Sequence, residues 1–167
     1  TSLMYYLFGL RHDYTGKIFI NNKDLNSIDV EDFTLIRRNT ISTIFQDLQL
    51  FEKLSVRDNM MLLPEFAEGY SLDEARVMLD ALDIADKWEQ KVETLSFGQK
   101  QRVAIIRALM KPFRVLICDE PFSHLDLQNT LKCTRLIEKR MDEENAGLII
   151  LGLEKDCSFK GIKTLEL

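Results

Sequence analysis

The sequence predicts an α/β fold in which a mainly parallel sheet is flanked by helices, with a small β subdomain and an inserted helical subdomain. Three observations lead there. From Leu95 onward helical and strand patterns alternate, which implies crossover connections and parallel strands. Val115-Leu116-Ile117-Cys118 is apolar without alternation, as a strand covered on both faces should be. Between Phe51 and Thr94 the pattern is helical throughout, and Ser55 with Asp58 and Ser71 with Glu74 have the spacing of capping boxes at two helix starts.

Taken in chain order, Thr1 to Leu10 is an apolar, aromatic-rich stretch that reads as a helix ending at Gly9. Thr15-Gly16 is a turn, Lys17 to Ile20 a short β-branched strand, and Asn21-Asn22 a pair suited to a hairpin turn. Ile28 to Arg38 is a short helix, and Ile41 to Phe45 alternates apolar and polar like a half-buried strand before Gln46. In the helical insert Ala75, Met78, Leu79 and Leu82 fall at i, i+3, i+4 and i+7, one stripe whose spacing fits packing rather than a cofactor. The remaining elements are a helix from Gln99 to Met110, the strand Val115 to Cys118, a helix from Leu127 to Glu144, the strand Leu148 to Leu151 and a last strand from Ile162 to Leu167.

Composition bounds the function. A chain of 167 residues is one domain, or one with a small insertion, and 46% hydrophobic content is enough to form a core. Lys and Arg number 22 against 27 Asp and Glu, a net charge of -5, which argues against binding nucleic acid through its phosphates. The longest apolar run, Leu148 to Leu153, is far short of the ~20 residues of a membrane span, so any membrane role comes through a partner. Cys118, Cys133 and Cys157 have no pair at metal-ligand spacing and read as packing residues of a reducing compartment.

Two constellations carry chemistry. Asp119-Glu120 stands at the carboxyl end of the buried strand, where open α/β sheets place ligands. One carboxylate there suits Mg²⁺ and its neighbour suits proton abstraction from water, although two acids at a strand end can equally be solvated charges. The second is Leu95-Ser96-Phe97-Gly98-Gln99-Lys100-Gln101-Arg102. Ser96 with Gln99 is a capping box, and a helix N-terminus with a hydroxyl and a glycine is also an anion site; the two readings are compatible.

Together these residues resemble the ATP-binding cassette (ABC) ATPases, the motor subunits of ABC transporters, over nearly the whole chain. Leu95 to Gln99 resembles the family signature LSGGQ and Gln101-Arg102-Val103-Ala104-Ile105 continues it. Val115 to Glu120 is similar to Walker B, Ser123-His124-Leu125-Asp126 to the D-loop, and Phe45-Gln46 to the Q-loop, in family order. The resemblance implies a P-loop NTPase-like core. Residues 1–50 would be part of the nucleotide-binding core and β subdomain, 51–94 the helical subdomain, and 95–167 the signature, Walker B, D-loop and the rest of the core. Thr1-Ser2 resembles the Ser/Thr that closes Walker A, so a longer polypeptide with the rest of that loop before Thr1 is expected.

By the same resemblance ATP and Mg²⁺ are the cofactors of a head-to-tail dimer with two shared sites. Thr1, Gln46 and Asp119 would hold Mg²⁺, Glu120 would activate water with Gln46 beside it, and Thr1 and Ser2 would bind nucleotide. Ser96, Gly98 and Gln99 would serve the ATP of the second ATPase subunit, identical or not, and Asp126 would lie at the dimer contact. Transmembrane permease subunits would be the other partner, holding the cassette on the inner face of the cell membrane. Arg37-Arg38, Ile44 to Asp47 and Leu50 most resemble the subgroup of lipoprotein-release, macrolide-export and cell-division complexes.

The chain departs from the family at two positions. Phe97 replaces the first signature glycine, and Leu153 stands where the family carries a switch histidine. A leucine cannot donate a hydrogen bond, and losing a positioned donor typically costs roughly 10²–10³ in rate. Leu153 motivates one alternative to the transporter ATPase, a degenerate cassette that dimerises or senses nucleotide with little turnover; a second alternative is a soluble non-transport ABC protein.

Overall fold

The computed structural model describes residues 2–62, 71–152, 159, 161, 163 and 165. Helix α1 (Ser2–Leu7) buries Met4, and the chain leaves it through Gly9 at φ +64°, where a Cβ would lie 2.5 Å from the Phe33 ring. Strands β1 (Phe19–Ile20) and β2 (Lys23–Asp24) pair antiparallel across Asn21 and Asn22, both at positive φ as a tight hairpin turn requires. The strand is two residues long rather than the four expected from Lys17. Its partner ends at Asp24, whose side chain accepts from Asn26 N and caps the 3₁₀ turn Leu25–Ser27.

Helix α2 (Val30–Asn39) begins two residues later than expected from Ile28, because Asp29 is its N-cap and accepts from Asp32 N. Acids in its first turn and Arg37 and Arg38 in its last complement the helix dipole. Strands β3 (Ile41–Ile44), β4 (Val115–Asp119) and β5 (Gly147–Leu151) form a parallel sheet with β4 in the centre. Ile41 and Ile117 pack with Met4 of α1 on one face, while Ile44, Leu116 and Cys118 join the helices of the other. This explains why β4 reads as continuously apolar. The alternation in Ile41–Phe45 does not mark a wet face: Ser42 is 1% exposed, and its hydroxyl donates to Ala108 O at 2.6 Å.

The insert carries α3 (Val56–Met61) and α4 (Leu72–Ala81), each with its capping box formed at Ser55 and Ser71. Ala75, Met78, Leu79 and Leu82 are all buried, in one continuous core with Val56, Met60, Ile105, Leu109, Leu116 and Ile137. Helix α5 (Phe97–Leu109) starts two residues before the expected Gln99, since Ser96 is the N-cap and the signature residues form its first turn. Helix α6 (Leu127–Glu144) has the expected bounds, with Asp126 as N-cap and Asn145 in the left-handed conformation at its end.

Cys118 and Cys133 are both buried in the core, and burial pushes the Cys133 thiol up to about 12. Among the described residues no helix is long and apolar enough to cross a membrane. Thr1, Cys157, Leu153 and most of the expected strand Ile162–Leu167 lie outside the described residues.

Candidate functional site

Strand register builds the centre of the site. Ile44 of β3 pairs with Cys118 of β4, so Gln46 and Glu120 each lie two residues beyond a matched pair at the carboxyl end of the sheet. Their side chains meet: Gln46 Nε2 donates to Glu120 Oε2 at 3.1 Å. Asp119, 3% exposed, alternates with Val115 and Ile117 and therefore belongs to the α1 face. It lines a cleft of about 340 Å³ with Tyr5, Phe45, Gln46, Asp47 and Phe97.

Glu120 itself has a left-handed backbone, φ +48°, an uncommon conformation for a non-glycine residue that tends to be found where function requires it. Its N–H donates to Leu151 O at 2.9 Å, so the end of β5 holds it from one side. The donors fit Mg²⁺: the Asp119 carboxylate and the Gln46 amide oxygen are hard oxygen ligands. Among the described residues no cluster of three or more His, Cys, Asp or Glu forms a metal cage.

The start of α5 forms the second part. Ser96 Oγ accepts from Gln99 N at 3.3 Å and Gln99 Oε1 accepts from Ser96 N at 2.9 Å, so these two side chains are engaged in the cap. Gly98 abuts the loop after β4, where an added Cβ would stand 3.0 Å from His124 O, and Phe97 packs edge-on against the His124 ring at 4.2 Å. Asp126 caps α6 by accepting from Asn129 N, and that bond is the first cause of its carboxyl lying below the usual range. Arg102 ties these parts together, donating to Asn129 Oδ1 at 3.0 Å and to Leu82 O at 2.7 Å.

The structure thus brings Gln46, Asp119 and Glu120 into one cluster and Ser96, Gly98, Gln99 and Asp126 into another around the α5 N-terminus. Ser2 opens α1, and Thr1 lies outside the described residues. Sequence reasoning assigned no role to Gln101, which is 1% exposed and bonds to Glu120 O, Ser123 Oγ and His124 N. A signal was present: Gln101 opens an i, i+3, i+4, i+7 series with Ala104, Ile105 and Ala108, a polar residue at the head of an apolar stripe.

Comparison with known proteins decides the family. The family model described as ABC transporter matches residues 1–123. The chain belongs to the ABC transporter family. Relatives of this ABC chain include the macrolide export ATP-binding/permease protein MacB of Bdellovibrio bacteriovorus, 26% identical over 168 residues. The lipoprotein-releasing system ATP-binding protein LolD 1 of Rhodopirellula baltica is 32% identical over 153 residues. The ABC chain is covered to 100% and 89% in these matches, and it spans 26% of MacB and 66% of LolD 1. A solved dimeric ATP-binding cassette, MJ0796 in a post-hydrolysis state bound to ADP and Pi, superposes with a TM-score of 0.77 at 27% identity. That match covers 94% of the ABC chain and 71% of MJ0796, so the fold is the P-loop NTPase-like α/β cassette.

Proposed function

We propose that this chain is the ATP-binding and hydrolysing cassette of an ABC transporter, powering a separate transmembrane permease from the inner face of the membrane. The observation that carries the reading is the 3.1 Å bond from Gln46 to Glu120 at the strand end that also buries Asp119. Gln46 occupies Glu120 Oε2, which fixes the carboxylate and leaves Oε1 to accept a proton from water attacking the γ-phosphate in line. Asp119, Gln46 and Thr1 would hold Mg²⁺, which when bound offsets charge on the phosphate oxygens. Ser96 and Gly98, at the N-terminus of a 13-residue helix, would meet the phosphates of a second cassette's ATP. Residues 51–94 would form the helical subdomain and Asp126 would lie at the dimer contact.

The test is steady-state ATP turnover and ATP-driven dimerisation in the whole protein that carries this chain. Glu120→Gln is expected to lower turnover by about 10²-fold or more while ATP-driven dimerisation persists. Unchanged turnover in that variant overturns the catalytic reading. If the unaltered protein dimerises on ATP without turnover, the degenerate cassette motivated by Leu153 takes its place.

A further inference from the structure

The geometry points to Gln101 as a positioning residue that sets Glu120 for catalysis by linking the α5 helix to the backbone of that glutamate. The inference rests on the reading of Glu120 as the base. Gln101 is 1% exposed, yet both ends of its amide are used: Nε2 donates to Glu120 O at 3.2 Å and Ser123 Oγ at 3.5 Å, and Oε1 accepts from His124 N at 3.2 Å. A buried amide with all its partners in one loop holds that loop in one shape.

The loop needs holding. Glu120 stands at φ +48°, a conformation a non-glycine residue keeps only when its surroundings impose it. Its N–H is held by the bond to Leu151 O at 2.9 Å, and its carbonyl by Gln101 together with a turn bond from Ser123 N. Gln46 then orients the carboxylate. Without Gln101, the tie from the carbonyl to α5 is gone, and the remaining contact there is the 3.4 Å turn bond from Ser123 N. The loop can then relax toward an ordinary backbone, which turns the Glu120 side chain away from Gln46. The strut also joins two parts of the site: α5 begins with Ser96 and Gly98, so a movement of that helix reaches Glu120 directly.

A purely structural role for Gln101 predicts something different, and a double-mutant cycle separates the two. Gln101→Met keeps the volume and removes all three bonds. In the whole protein it is expected to lower kcat for ATP at least tenfold with KM changed less than twofold. In a Glu120→Gln background the same substitution is expected to change the residual single-turnover rate less than twofold, because the group it positions is gone. Gln101→Glu keeps the acceptor for His124 N and lacks the donor to Glu120 O, and it is expected to slow kcat as Gln101→Met does. That variant carries the test if the methionine form fails to fold.

Wild-type kcat in both Gln101 variants, a rise in KM alone, or an equal loss in the two backgrounds overturns the proposal. Slow Glu120→Gln with wild-type Gln101 variants removes only the Gln101 inference. Unchanged turnover in Glu120→Gln removes the reading of Glu120 as base, and the inference with it.

Discussion

Lys111 shows how a single residue can respond to tertiary surroundings that its neighbours in sequence do not announce. Its Nζ donates to Arg37 O at 2.5 Å and Ile41 O at 2.7 Å, joining the segment after α5 to the end of α2 and the start of β3. Burial pushes its pKa down from 10.5 to about 8. Between those values the unfolded chain binds more protons than the folded one, so the Lys111 contribution to stability rises as pH climbs from about 8 to about 10.5. Urea unfolding of Lys111→Met is therefore expected to show a flatter rise over that window than the unaltered chain, and parallel curves would contradict the assignment. Gln101 and Ser42 are of the same kind. Each is polar in the sequence and buried in the fold, with partners 19 to 66 residues away.

At the scale of elements, what was legible is what is local. The three capping boxes at Ser55, Ser71 and Ser96 close over three residues each, and all three form. Helix α6 could be bounded because Asp126 caps one end and Asn145 adopts the left-handed conformation at the other. Asn59 was not legible as a structural residue, since its partners lie outside its helix. It is fully buried, accepts from Phe51 N at 2.9 Å, and donates to Phe51 O at 3.0 Å and Ser55 O at 2.9 Å, which fastens α3 to the chain leaving the Gln46 turn. Asn59→Ala leaves Phe51 N without its partner, while Phe51 O keeps the bond from Leu54 N at 3.0 Å, and is expected to cost roughly 2 kcal/mol. Thermal unfolding should then move down by about 4–8 °C, and a shift below about 2 °C would show that water replaces the side chain.

Across the whole molecule, one apolar core runs from α3 and α4 through α5 to the face of the sheet that carries Leu116 and Cys118. The segment that carries α3 and α4 is therefore expected to melt with the sheet. Leu79→Ala, at a fully buried position of α4, is expected to cost about 2–5 kcal/mol and to lower a single calorimetric transition. A second, separate transition in that variant would show the insert to be an independent unit. The α/β class, the parallel pairing and the placing of Asp119 and Glu120 at a strand end were determined by the sequence alone, because hydrophobic period and caps act over a few residues. The register that sets Gln46 against Glu120, the close approach of Gly98 to His124 O, and the buried amide of Gln101 were decided by the tertiary structure. Those contacts join residues 19 to 74 apart in the chain, and the partner of a hydrogen-bonding group at that distance is set by how the elements pack rather than by anything written beside it.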